Sequence, residues 1–220
     1  MNYSFNFSVI LQNADHLIEG MLLTIRLSAM AMLFGLLIGT ACAVAKLWGP
    51  RAIGLVVTSY VEFIRNTPFL VQLFVVYFGL PSLGFRMSAE SAAVVGLSIY
   101  MGAYATEIVR SGIQAIPKTQ IEAALCLGMH PRQVFRHVLM FPALQVVYPA
   151  LTSQFVLLLL GSSVVSLISA RELFHVAAFL ESRTFLPFEI YLSVSLLYLG
   201  MSLCFRGLFW VAGRMMFAKV

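Results

Sequence analysis

The sequence predicts an all-α, polytopic membrane protein of about five transmembrane helices, with a short cytoplasmic helix between the third and the fourth. Three observations carry this prediction. Of 220 residues, 60% are hydrophobic and 10% charged, where a soluble domain has roughly 45–50% and 25%; mean hydropathy is +0.93. A chain of this composition cannot cover its apolar surface with polar groups, so lipid is its solvent. The apolar residues gather into long runs between about residues 19 and 214, each able to cross a hydrocarbon layer of roughly 30 Å. One basic, glycine-turned stretch, Ile121–Leu144, interrupts them at mid-chain. No polar module or linker flanks the runs, so residues 1–220 read as a single transmembrane domain.

Met1–Asn13, with its asparagines and aromatic residues, reads as a short interfacial segment. The first span is predicted over about Glu19–Ala45. Its Gly35, Gly39, Ala41, Ala43 and Ala45 let another helix approach closely in lipid. Lys46-Leu-Trp-Gly-Pro-Arg51 ends it with two cations, an interfacial Trp and a breaker. The second span, about Leu55–Leu80, should kink or break at Pro68, which lacks a backbone donor. In a membrane such a break persists only where protein or a water-filled cavity covers the freed carbonyls. The third span is predicted over about Ser91–Ile113. The fourth runs over about Pro142–Ile168, with Pro149 in its first half. A polar connection, Ser169–Arg183, leads to the fifth span, about Leu186–Ala212.

Five spans put the termini on opposite sides. With the N-terminus outside, the cytoplasmic side holds Lys46, Arg51, Arg65, Arg110, Lys118, Arg132, Arg136, Arg206, Arg214 and Lys219, ten of the fourteen Lys and Arg. The basic excess sets topology. The outer side holds Asp15, Glu19, Glu90, Glu172, Glu181 and Glu189. The first cation, Arg26, follows Asp15 and Glu19, the reverse of a cleavable signal peptide, so the leading end reads as retained and translocated. The net charge of +5 is thereby explained as topology, and no nucleic-acid motif accompanies it. Cys42, Cys126 and Cys204 have neither zinc nor redox spacing and read as small buried hydrophobes.

In the central stretch, Glu122-Ala-Ala-Leu-Cys-Leu127 has helix formers and Gly128 supplies a left-handed stop. His130-Pro131 can restart a helix, with Pro131 at its first position. Ala123 and Ala124 give a thin face suited to a groove on another protein. A connector lying on lipid headgroups, with its arginines on phosphates, explains the same residues equally well.

Charges within spans face protein or water. Glu62 with Arg65, and Glu107 with Arg110, have i, i+3 spacing and are expected to form structural or gating ion pairs. Gln72, Tyr104, Ser162 and Ser163 are polar groups available to a pathway. An interhelical hydrogen bond for Gln72 and backbone bonding for the serines are as simple.

Several motifs together resemble the permease subunits of ABC importers. Glu122-Ala-Ala, Gly128 and Phe141-Pro142 are similar to their EAA loop, with Phe141 in place of the usual Leu. Tyr60-Val-Glu-Phe-Ile-Arg-Asn-Thr-Pro-Phe-Leu-Val-Gln72 resembles the Y-x-E-x-x-R-G-T-P-L-L-V-Q segment of the polar amino acid branch (histidine-, glutamine- and arginine-type permeases). Asn66 replaces a Gly there. Gly102-Ala-Tyr-Ala-Thr-Glu-Ile-Val-Arg-Ser-Gly-Ile113 resembles G-A-Y-x-x-E-x-x-R-G-G-I. The resemblance covers about Thr24–Glu172.

It implies a type I importer fold and a cytoplasmic coupling loop over 115–141. In that loop Glu122, Ala123, Ala124, Gly128 and Arg132 would dock on a separate ATP-binding subunit. It implies inward transport of a polar amino acid or related small solute across a bacterial inner membrane. It also implies a dimer of ATP-binding subunits that holds the ATP and Mg, a second permease (identical or a sister), and an extracytoplasmic solute-binding protein. The chain itself has no G-x-x-x-x-G-K-[ST] phosphate loop and is expected to be no enzyme and to hold no cofactor or metal. The branch typically has K-[DN]-T-S-L where this chain has Leu160-Gly-Ser-Ser-Val164. If those charged or amide positions handle a zwitterion in relatives, this subunit handles it differently, as the non-binding half of a heterodimer or with an unusual substrate.

A self-sufficient ion-coupled carrier is the rival reading. It needs an intramembrane relay, for which Glu107 is the only candidate. A membrane-embedded enzyme lacks a convergent set, because His16, His130, His137 and His175 lie outside the spans or at their ends.

Overall fold

The computed structural model describes residues 5–217; Met1–Ser4 of the interfacial segment, and Lys219 of the cytoplasmic cations, lie outside them. In chain order the helices are α1 (Ser8–Gln12), α2 (Ala14–Trp48), α3 (Arg51–Arg65), α4 (Phe69–Ser82), α5 (Ala89–Gln114), α6 (Lys118–Cys126), α7 (Pro131–Ile168), α8 (Leu173–Thr184) and α9 (Pro187–Phe217).

α2, α5, α7 and α9 are long and apolar enough to cross a membrane singly. α3 and α4 qualify only as a pair bent by 109°. Two ion pairs decide how that pair counts. Arg26 of α2 reaches Glu90 at the start of α5, 3.4 Å away, and Lys46 at the end of α2 reaches Glu107 near the end of α5, at 2.9 Å. α2 and α5 therefore run parallel, and the chain between them must return across the bilayer. α3 and α4 are that return, which makes five crossings.

The α2–α5 seam is the most extensive helix contact among the described residues. One stripe of α2 is buried, Leu17, Gly20, Thr24, Leu27, Ala31, Gly35, Gly39 and Ala43, at helical spacing. A Cβ on Gly39 would lie 2.9 Å from the backbone of both Ala105 and Thr106, and one on Gly35 would lie 2.6 Å from Met101 Cγ. Of the small residues in the first span, Gly35 and Gly39 serve this seam and Ala43 is buried, whereas Ala41 faces outward. The opposite face exposes Ile18, Leu22, Leu33 and Leu37, as lipid contact requires. One core joins α2, α5, α7, α8 and α9 through Leu27, Met101, Leu158, Leu173 and Ile190, with Leu73 of α4 added. α3 contributes Val57, Val61 and Ile64 to a smaller cluster on Ala103.

Of the two outcomes expected at Pro68, a kink or a break, the structure has the break. It separates two helices at a steep angle, because Asn66, Thr67 and Pro68 all leave the helical ladder. Two other expectations about elements need correction, at the start of the fourth helix and in the polar connection after it. The fourth helix begins at Pro131, well before Pro142, so the helix restarted there is continuous with the fourth span. A wide π turn over Val134–Leu139 lies just before Pro142, where a missing N–H is most easily accommodated. Finally, the polar connection Ser169–Arg183 is largely helical. Leu173, Ala177 and Leu180 of α8 form one buried face, and charges at Arg171, Glu172, Glu181 and Arg183 masked that period.

Gly39→Val should push α2 off α5 and lower stability by about 1–3 kcal/mol, read as a drop in the thermal midpoint in detergent. Gly54→Ala, whose Cβ would meet only the Lys46 carbonyl at 3.9 Å, should leave the midpoint unchanged or higher.

Candidate functional site

α6 ends in a complete Schellman turn. Gly128 has φ +77, its N–H donates to Leu125 O at 3.0 Å, and the Met129 N–H donates to Ala124 O at 3.2 Å. These two bonds are the paired closures that define the motif. His130 then restarts the helix. Its Nδ1 accepts from Arg132 N at 3.3 Å, while the His130 N–H donates to Gln133 Oε1 at 2.8 Å, with Pro131 at the first helical position. Ala124 is buried against the body. Glu122, Ala123, Gly128 and Arg132 are exposed, and so are Leu125 and Leu127, the latter 83%. The stretch is thus a short helix clipped to its own membrane domain by one alanine, presenting a carboxylate, a thin alanine face and two leucines outward.

The break between α3 and α4 is closed by side chains. Asn66 Nδ2 donates to Glu62 O (2.8 Å) and Thr67 Oγ1 to Phe63 O (2.8 Å). Gln72 Nε2 donates to Ile64 O (2.8 Å), Thr67 O (3.0 Å) and Thr67 Oγ1 (2.8 Å). Side chains thus reach consecutive carbonyls in the last turn of α3, where the helical ladder runs out; of these the Glu62 carbonyl also keeps its backbone bond from Asn66 N, at 3.1 Å. Gln72 is buried in that role, and its Oε1 has no partner.

Glu62 and Arg65 do not pair. The Glu62 carboxylate accepts from Asn66 Nδ2 at 3.0 Å, and the Arg65 guanidinium lies 5.5 Å from the centre of the Tyr104 ring. Asn66 intervenes, and Tyr104, whose ring packs on Tyr100 at 4.8 Å, draws Arg65 the other way. Together Glu62, Arg65, Asn66 and Tyr104 line a polar cavity of about 300 Å³. Glu107 and Arg110 do pair, in a larger group. The Arg110 guanidinium holds both Glu107 oxygens, and Lys46 crosses from α2 to the same carboxylate at 2.9 Å.

Ser162 and Ser163 donate to the Leu159 and Leu160 carbonyls at 2.7 and 3.0 Å. Ser162 is fully buried and Ser163 half-buried. They mark the change from α to 3-10 geometry over Ser162–Ile168, which ends at Ser169 in the left-handed region (φ 64).

Sequence reasoning missed one polar knot entirely. Glu172, placed in an outer loop, is fully buried and caps α8, accepting from Phe174 N (2.9 Å) and His175 N (2.8 Å). Tyr198 Oη and Thr24 Oγ1 also donate to it, at 2.7 and 3.4 Å. Burial pushes its carboxyl above the usual carboxylate range, and these four donors oppose that rise. An acid placed directly before the apolar run Leu173–Leu180, with Thr24 isolated in a span, was the available signal. Glu189, counted with the outer acids, is fully buried too and accepts from Asn6 N at 3.0 Å.

Gln72→Leu leaves several buried acceptors unsatisfied and should cost about 1–3 kcal/mol, seen as a lowered thermal midpoint. Asn66→Gly, which removes only exposed bonds, should cost less than half as much in the same assay.

Residues 31–214 match the family model described as "Binding-protein-dependent transport system inner membrane component". Among relatives, the "Probable glutamine ABC transporter permease protein GlnM" of Bacillus subtilis (strain 168) is 34% identical over 90% of this chain and 92% of its own length. The arginine transport system permease protein ArtQ of the same organism is 31% identical over 89% and 90%. A solved structure, an amino acid ABC transporter with histidines, superposes with a TM-score of 0.89 at 35% identity, covering 97% of this chain and 100% of that one. The all-helical, membrane-spanning fold agrees with these likenesses, and the chain belongs to the family of inner-membrane components of binding-protein-dependent transport systems, as a permease subunit of an ABC importer.

Proposed function

We propose that this chain carries a polar amino acid or related small solute inward across a bacterial cytoplasmic membrane, driven by a separate pair of ATP-hydrolysing subunits docked on α6 and the Gly128 turn. The carrying observation is the loop itself: an exposed Glu122–Ala123 face and Gly128 turn, joined rigidly to two spans. α6 follows α5 after three residues, and α7 runs unbroken from Pro131 to Ile168. Displacement of α6 therefore moves both helices. In this reading ATP and Mg bind the partner subunits, a second permease (identical or a sister) completes the pathway, and an external solute-binding protein delivers the solute. The N-terminus lies outside and the C-terminus inside, as the excess of cations on the loop side supports.

The cavity of Glu62, Arg65, Asn66 and Tyr104 is the proposed contact for the solute. It presents one anion and one cation that do not neutralise each other, the pattern that a zwitterion's ammonium and carboxylate require. The ion-coupled alternative is disfavoured by Glu107, whose carboxylate already serves Lys46 and Arg110.

Gly128→Pro, which can neither donate its N–H nor adopt φ +77, and Glu122→Lys should both leave the protein in the membrane while lowering ATP-driven uptake about tenfold or more. Normal uptake by either variant sinks the docking assignment. Glu62→Ala and Arg65→Ala should each raise the half-saturating solute concentration about tenfold without lowering the thermal midpoint; an unchanged concentration removes the cavity from the pathway.

A further inference from the structure

A second cleft, between α7 and α9 near the C-terminal end of α9, belongs to none of the sites above. It has a volume of about 500 Å³, and its lining includes Pro149, Val156, Phe209, Trp210, Arg206 and Arg214. Arg206, Trp210 and Arg214 are successive i, i+4 positions and share one face of α9. Both arginines are exposed. No carboxylate lines the cleft, and neither arginine forms an ion pair among the described residues. The Arg214 guanidinium lies 5.3 Å from the centre of the Trp210 ring.

The depth of these residues follows from α9 alone. No charge falls between Glu189 and Arg206, a stretch of roughly 25 Å at 1.5 Å per residue. Against a hydrocarbon layer of about 30 Å, Arg206 stands at the far boundary and Arg214, two turns on, among the headgroups. An exposed arginine at that boundary requires an anion or water, and tryptophan is a residue that anchors there.

We propose that this cleft binds one anionic phospholipid from the leaflet at the C-terminal end of α9, the cytoplasmic leaflet in the orientation given above. Arg206 and Arg214 take the phosphate and acidic headgroup, with Trp210 beside them. Pro149, Val156 and Phe209 take the upper part of an acyl chain. A lipid fits better than a protein segment, because the two cations stand at the membrane boundary and the walls between them are apolar. The proposal depends on membrane insertion but not on the transport reading.

The test uses the native fluorescence. The chain has two tryptophans, Trp48 and Trp210, so Trp48→Phe leaves Trp210 as the reporter. The full chain is reconstituted in phosphatidylcholine vesicles containing brominated phosphatidylglycerol or brominated phosphatidylcholine. Each arginine contributes about fivefold in affinity for an anionic lipid, so the brominated phosphatidylglycerol should quench Trp210 with roughly twenty-five-fold higher apparent affinity. Arg206→Ala with Arg214→Ala should abolish the preference, and Arg206→Lys with Arg214→Lys should keep most of it. Equal quenching by the two lipids with both arginines present overturns the proposal without recourse to any arginine variant. So does a preference that survives the double alanine change, or a Trp210 shielded from both lipids, which would mean that protein covers the cleft.

Discussion

The hydrocarbon interior supplies no hydrogen bonds, and that single constraint sorts the polar residues of this chain. Wherever the backbone leaves a helix inside the membrane domain, its own side chains must replace water. At the α3–α4 break Asn66, Thr67 and Gln72 do so. At the entry to α8 Glu172 and Thr24 do so, and Ser162 and Ser163 bond the last α-helical carbonyls of α7. Outside the membrane, at Gly128, backbone bonds and a positive φ suffice. Among the described polar groups that this sorting leaves without such a structural task are Glu62 and Arg65 beside Tyr104, the exposed face of α6, and Arg206 and Arg214 on α9.

The parallel α2–α5 seam is the frame on which those groups are mounted. Glycines bring the two helices to backbone contact, and Lys46, Glu107 and Arg110 tie their ends together on the side where α6 emerges. α6 is thereby joined to α5 near an ion-paired terminus, and to α7 through the Gly128 turn and the π turn over Val134–Leu139. α3 is held to α5 by Tyr60, whose hydroxyl donates to the Ile99 carbonyl at 2.6 Å, so the Glu62–Arg65 cavity rides on the same frame. This links the loop to the cavity through packed, named contacts.

Much of this was legible in the residues. Span existence follows from hydropathy, and the Gly128 stop and the Pro131 start follow from the backbone limits of those two residues. The end of α2 at Gly49-Pro50 is of the same kind. What escaped was tertiary. An i, i+3 spacing makes Glu62 and Arg65 neighbours, but Asn66 and Tyr104 compete for them, and no local pattern reports that competition. The partner of Glu107 sits 61 residues away at Lys46. Glu172 looked like a loop acid because burial by α2 and α9 is invisible along the chain. Asn66, where the resembling permeases carry Gly, finds its reason only in the structure, where its side chain donates to both the carbonyl and the carboxylate of Glu62.

Cys126, which the sequence suggests is buried but which the structure exposes at the end of α6, offers the most direct test of the account. A membrane-impermeant maleimide should label it in inside-out vesicles and not in right-side-out ones. The labelling should fall sharply when the ATP-hydrolysing partner is co-assembled. Labelling from the outer side, or labelling indifferent to that partner, would contradict the claim that α6 is the cytoplasmic docking element.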